Sequence, residues 1–126
     1  MRIPLSPQPT PETEAFWKAA NERRLLLKQC RITGKAFFYP RDHSPFTGKA
    51  ETDWIEACGK GTIYAFSVLE RARPAYCIAY VTLEEGPTML TSIVCEDFGA
   101  LRIGQAVELG FIASENGQLV PIFTPV

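Results

Sequence analysis

The spacing of apolar residues changes along the chain, and the change separates two kinds of element. Phe16, Ala19 and Ala20, with Arg23 in phase, recur at the interval that puts side chains on one face of a helix. Thr10 is placed to cap this helix and Pro11 fits its first turn. Glu12 and Glu14 suit the positive end of its dipole. Phe16 and Trp17 are expected to pin the helix to the rest of the protein. The preceding segment, Met1 to Pro11, holds four prolines and no apolar run, so it reads as an extended arm.

After Arg24 the period becomes that of strands. Leu25–Gln29 reads as a strand, residues 31–35 as a turn, and Ala36–Tyr39 as a second strand closed by Pro40. Arg41 to Asp53 is a polar loop with Pro45 and Gly48. It is long for a segment without structure, which points to a site or the remnant of one. Trp54–Ala57 leads into Gly59-Lys60-Gly61. Thr62–Glu70 alternates, with Tyr64, Phe66 and Val68 on one face and Ile63, Ala65 and Ser67 on the other. Tyr76–Leu83 is a more continuous apolar run, as expected of a central strand. Glu85-Gly86-Pro87 is a turn, Thr88–Val94 a strand, and Ala106–Ile112 another. Asn116-Gly117 signals a hairpin, and Leu119–Thr124 is the last strand. Short strands at even spacing, with Gly59, Gly61 and Gly104 at the bends, predict a small closed barrel.

An apolar fraction of 46% is enough to bury a core. The formal net charge of -1 argues against a nucleic-acid binder, which draws most of its affinity from neutralising phosphates. A local patch of the 13 Lys and Arg residues is not excluded by that balance. No stretch approaches the ~20 apolar residues needed to cross a bilayer, so no membrane role is expected. The first residues do not resemble a signal peptide, and the expected location is cytoplasmic. Cys30, Cys58, Cys77 and Cys95 form no CxxC pair and are expected to be free thiols acting as small apolar side chains.

The order of features is more specific than any one of them. It runs from Phe16-Trp17, through Leu25-Leu26-Leu27 before Cys30, to Phe38-Tyr39-Pro40-Arg41 and Trp54. Gly59 to Ser67, Ile103 to Val107 and Pro121 to Pro125 follow. Together these resemble the acyl-CoA-associated OB-fold family once known as domain of unknown function 35. The resemblance implies a mainly β protein: an N-terminal arm and helix over 1–24, a rubredoxin-like zinc ribbon over 25–53, and a five-stranded OB-fold barrel over 54–126.

The family's ribbon carries two Cys-x-x-Cys knuckles. The corresponding positions here are Cys30, Thr33, Ser44 and Thr47. Neutral hydroxyls are poor zinc ligands, and even His43 would bring the donors only to two. Zinc is therefore not expected, and no other bound cofactor is. Thr33, Ser44 and Thr47 are expected to form side-chain-to-backbone turn bonds instead, with Phe37, Phe38, Tyr39 and Phe46 adding apolar contact.

No catalytic residue is assigned. Asp42 and Ser44 flank His43 in sequence, but neighbours rarely face one another as a triad requires. Glu84 and Glu85 read as solvated charges at a turn. The resemblance implies an accessory or scaffold subunit of a thiolase-like or other acyl-CoA-processing enzyme, with acyl-CoA as candidate ligand. Lys35, Arg41 and Lys60 are candidates to pair with its phosphates, and Phe38, Tyr39 and Phe46 to stack on its base. The competing reading is that these charges only solubilise the surface. Two other functions stay open: a single-stranded nucleic-acid binder using Tyr64, Phe66 and Tyr80, and an independent acyl-CoA thioesterase or transferase. A homo-oligomer is also left open.

Overall fold

The computed structural model describes residues 2–126. One helix, α1 (Glu14–Asn21), precedes eight strands: β1 (Leu26–Cys30), β2 (Ala36–Phe37), β3 (Thr52–Glu56), β4 (Lys60–Leu69), β5 (Tyr76–Leu83), β6 (Thr88–Ile93), β7 (Ala106–Ala113) and β8 (Leu119–Pro125). The first three strands form a small sheet in the order β2-β1-β3. The other five close a barrel in the order β4-β5-β6-β8-β7. Its neighbours are antiparallel except β6 and β8, which meet in parallel at Ile93 and Phe123. This is the mainly β architecture expected. β3 pairs with β1 along its whole length, so it belongs to the small sheet and runs across the 53/54 division.

Three local expectations change. Thr10 does not cap α1 with its side chain. Its carbonyl instead accepts from the backbone N–H groups of Thr13 and Glu14, forming a turn that delays the helix to Glu14. The alternation in β4 breaks at Tyr64, where pairing with β5 shifts between Ile63 and Ala65. Ile63 faces inward before this irregularity, and Phe66 and Val68 pack on the core after it. Tyr64 is left 67% exposed, because one extra residue in the strand inverts the phase of its side chains. In the β7–β8 connection only Gly117 takes a positive φ, 92°. The loop closes one residue wider than a two-residue turn, with Ser114 N–H on the Gln118 carbonyl at 2.8 Å.

One core runs through both sheets. Phe16 of α1, Leu25 just before β1 and Leu27 within it join Ile63, Val81, Met89, Ile93, Val107 and Phe123 of the barrel. Phe16 is 1% exposed, and its ring lies 4.8 Å from Trp17, 5.9 Å from Phe38 and 5.5 Å from Tyr39. Trp17 Nε1 donates to the Tyr39 hydroxyl at 3.0 Å. Asn21 Oδ1 accepts from Leu119 N–H at 3.0 Å, which ties the other end of α1 to β8. Gly61 marks the tightest approach between β4 and β5. A Cβ there would stand 2.6 Å from Val81 Cγ1 and 2.8 Å from the Thr82 carbonyl oxygen.

Phe16→Ala is expected to lower stability by about 3–5 kcal/mol, the usual cost of emptying a buried aromatic site. Because helix, small sheet and barrel share this core, denaturant titration should still show one transition by both circular dichroism and tryptophan fluorescence. Two separated transitions in the wild type would contradict the shared core. Gly61→Val should cost at least about 2 kcal/mol in the same titration, since backbone and Val81 must both move.

Candidate functional site

Cys30 ends β1 and Ser44 lies in the 41–51 loop, yet the fold brings them together. Both are buried, at 0% and 2% exposure. The Ser44 and Thr33 hydroxyls are placed to favour the Cys30 thiolate. With the backbone N–H groups of Thr33 and Ile32, they outweigh burial and pull the thiol down to about 7. Thr33 N–H reaches Cys30 Sγ at 3.5 Å. By contrast, burial pushes the Cys77 thiol up, with Cys95 adding to the shift. The turn bonds expected of the hydroxyls are present. Thr33 Oγ1 accepts from Lys35 N–H at 3.2 Å, Ser44 Oγ from Phe46 N–H at 3.1 Å, and Thr47 Oγ1 from Lys49 N–H at 3.2 Å. A closed zinc site takes four Cys or His donors, and these positions supply one thiol and three neutral hydroxyls. Among the described residues no group of three or more His, Cys, Asp or Glu side chains is disposed to hold a metal ion. The donor set does not fit zinc.

The binding candidates fall into two adjoining hollows and one separate place. Lys35, Phe37, Phe38 and Phe46 line a groove of about 520 Å³ whose other wall is the β5–β6 turn, Glu85 to Thr88. Lys35 Nζ sits 5.5 Å from the centre of the Phe46 ring, which is itself 46% exposed. Tyr39 and Arg41 line a smaller hollow of about 240 Å³ with His43 and Pro45, and Phe37 and Phe38 border both. The Arg41 guanidinium lies 5.2 Å from the centre of the Tyr39 ring. Each cation is therefore placed beside an aromatic face, an arrangement worth about 0.5–1 kcal/mol at exposed sites. Lys60 opens β4 and lines neither hollow. His43 is exposed and lines the smaller hollow together with Phe37, Phe38 and Tyr39.

Three features were not read from the sequence. Lys28 is buried at 7% exposure, with Nζ 3.2 Å from Thr52 Oγ1 and 4.4 Å from the Trp54 ring. Its partners stand across the β1–β3 ladder, so the interaction needs the register and not the local pattern. Glu85 is not merely solvated. One carboxylate oxygen accepts from Cys58 N–H at 2.8 Å, and the other is buried in the groove wall without a protein partner. The third feature was legible. β4 after Lys60, all of β5 and all of β6 contain no charged residue. Their outer face exposes Tyr64, Ile78, Tyr80 and Leu90. Tyr80 lies opposite both Ala65 and Leu90, so these side chains form one continuous row across three strands.

The N-terminal arm lies beside this face. Its Ser6 hydroxyl donates to Ser114 Oγ and accepts from Asn116 N–H, and the Pro4 carbonyl accepts from Glu115 N–H. The Arg2 guanidinium stacks 4.0 Å from the centre of the Tyr76 ring. Arg2, Pro4 and Leu5 roof a pocket of about 370 Å³ whose walls include Ser92, Ile93 and Ile122.

Comparison with known proteins places this geometry in a family. Residues 17–44 match the family model described as the ChsH2 rubredoxin-like zinc ribbon domain, and residues 54–111 match the ChsH2 C-terminal OB-fold domain. A DUF35 domain-containing scaffold protein of Methanothermobacter thermautotrophicus is 31% identical over 79% of this chain and 81% of its own. A probable enoyl-CoA hydratase alpha subunit of Thermomonospora curvata is 30% identical over 96% of this chain. The chain spans only 40% of that subunit's length. Among solved structures, a chain of the Ltp2-ChsH2(DUF35) aldolase superposes with a TM-score of 0.82 at 26% identity, covering 95% of this chain and 98% of that one. The chain belongs to the DUF35 family of ribbon-and-OB-fold proteins.

Proposed function

We propose that this chain is a non-catalytic accessory subunit that docks on a thiolase-like or other acyl-CoA-processing enzyme in the cytoplasm. The observation that carries the reading is the outer face of β4 beyond Lys60, of β5 and of β6, which holds no charge and exposes Tyr64, Ile78, Tyr80 and Leu90. The chain is 21% charged, so a three-strand face with no charge beyond Lys60 at its edge is a marked departure. Depletion of charge around exposed aromatics is the composition of an interface core. The arm adjoins this face, since Leu5 and Ser92 line the same pocket, and it adds the exposed Ile3 and Leu5. The ribbon lies at the other end, where Lys35, Phe38 and Phe46, with Tyr39 and Arg41 alongside, contact the nucleotide part of acyl-CoA. Relatives named as a scaffold protein and as a hydratase subunit, and a neighbour named as part of an aldolase assembly, favour this role. No helix is long and apolar enough to cross a membrane.

The nucleic-acid reading draws less support. Phe66 packs inward, which interrupts the row of Tyr64, Phe66 and Tyr80. The face between them has no cation to follow a phosphate backbone. For an independent thioesterase, the His43 environment offers aromatic rings and no nucleophile.

Native mass spectrometry of the tagged chain drawn from its own cell lysate tests the docking claim. The expected outcome is co-capture of an acyl-CoA-processing enzyme, lost in Tyr80→Glu with the circular dichroism unchanged. Capture unaffected by Tyr80→Glu and Leu90→Glu together would reject the face as the interface. For the ligand, titration of the assembled complex with coenzyme A should show the Kd rising about tenfold in Lys35→Ala and about tenfold in Arg41→Ala, each taken alone. That matches the loss of one charge-assisted contact, about 1.5 kcal/mol. An unchanged Kd would leave these charges as surface solubilisers.

A further inference from the structure

The two knuckles of the ribbon are near copies of one another, although only one of them keeps a cysteine. Each spans a first residue, a fourth and a following glycine: Cys30, Thr33 and Gly34, then Ser44, Thr47 and Gly48. In the first, Cys30 N–H donates to the Lys35 carbonyl at 2.9 Å and Gly34 N–H returns to the Cys30 carbonyl at 2.8 Å. In the second, Ser44 N–H donates to the Lys49 carbonyl at 2.8 Å and Gly48 N–H returns to the Ser44 carbonyl at 2.8 Å. Both glycines sit at φ 74°, a conformation that side chains resist. The sixth residue of each knuckle gives its N–H to the hydroxyl of the fourth, at 3.2 Å in both. A further backbone N–H reaches the side chain of the first residue in each, from Thr33 to Cys30 Sγ and from Phe46 to Ser44 Oγ.

Backbone N–H groups aimed at the first and fourth side chains are what a pair of metal-bound thiolates needs for charge stabilisation. Here the same donors reach one sulfur and three hydroxyl oxygens. Between the knuckles Cys30 and Ser44 are both closed to solvent, and Phe46 of the second knuckle meets Phe37, just after the first, edge-on at 6.2 Å. We infer that the ribbon has become a metal-independent module that retains the backbone of a metal site. Buried Cys30 and Ser44, with the Phe37–Phe46 contact, now hold the two knuckles together where an ion would bridge them. Two consequences follow from the geometry. The wild-type chain folds without metal, and replacing the three hydroxyls by thiols restores a tetrathiolate zinc site without other change.

The test uses the full chain and two metals. Wild-type protein, prepared without a metal-binding tag, is expected to keep its thermal midpoint in excess chelator and to show no cobalt(II) thiolate charge-transfer absorption. Thr33→Cys/Ser44→Cys/Thr47→Cys is expected to bind one zinc ion by native mass spectrometry. With cobalt(II) it should give the intense visible bands of a tetrahedral thiolate site. Should that variant not fold when metal-free, refolding with zinc present decides the matter. Recovery of the native circular dichroism supports the retained geometry, and failure to recover overturns it. A folded variant that takes up no metal also overturns it. Stoichiometric zinc in the wild type, lost together with the fold on chelation, overturns metal independence. In the wild-type background, Ser44→Ala is expected to lower the midpoint by about 4 °C, because it strands the Phe46 N–H. An unchanged midpoint would mean that Ser44 does not hold the knuckles.

Discussion

The position of Phe16 is the constraint on which the rest of the architecture depends. A three-stranded sheet and a short helix are each too small to bury a core alone. Phe16 lets them share the barrel's core. Its ring is surrounded by Trp17 from its own helix, by Phe38 and Tyr39 from the ribbon, and by the cluster that continues to Phe123. The residues that make the ribbon adhere are thus the ones that border the two hollows. Phe38 faces Phe16 on one side and both hollows on the other. Any change that loosens the aromatic cluster also changes the shape of the candidate ligand site.

The same logic explains how the ribbon persists on hydroxyls. A bound metal can supply much of a small module's folding free energy. Hydroxyl contacts are each worth only about 1 kcal/mol, so they cannot replace that contribution alone. The ribbon makes up the difference with apolar and cationic contacts made elsewhere. Leu25 and Leu27 insert into the common core, Phe37 meets Phe46 edge-on at 6.2 Å, and buried Lys28 braces β1 against Trp54 and Thr52. Thr52 in turn donates to the Asp42 carbonyl, which ties the second knuckle's loop to β3. The exposed ion pairs, Arg31 with Asp53 and Arg24 with Glu56, contribute little beside these.

What the sequence disclosed follows from which interactions are local. Strand periods, the Gly-marked bends, the knuckle turns and the hydroxyls that replace thiols all depend on residues within a few positions of one another. These were legible. The inward turn of Phe66 was not, because it rests on an irregular pairing that only the β5 register reveals. Nor was the seat of Glu85, whose partner Cys58 is supplied by a distant part of the chain. Lys60 looked equivalent to Lys35 and Arg41 by charge alone. Its separation from both hollows is a matter of which strand begins where.

The charge-free face joins these observations. On a free-standing barrel, outward positions of a half-exposed sheet alternate polar with apolar and carry charge for solubility. β7, by comparison, keeps Glu108 outward. β4, β5 and β6 keep small hydroxyls and exposed Tyr64, Ile78, Tyr80 and Leu90 instead. These strands pair along their length and their inner face is used by the core, so no contact among the described residues explains that choice. A selective demand from outside the chain does, and a partner surface is the demand that excludes charge while keeping aromatic rings. The chain's own core holds the ribbon groove at one end and leaves this face free for contact. That division of labour suits the proposed scaffold role: one core holds the ribbon groove in fixed relation to the face that carries no charge.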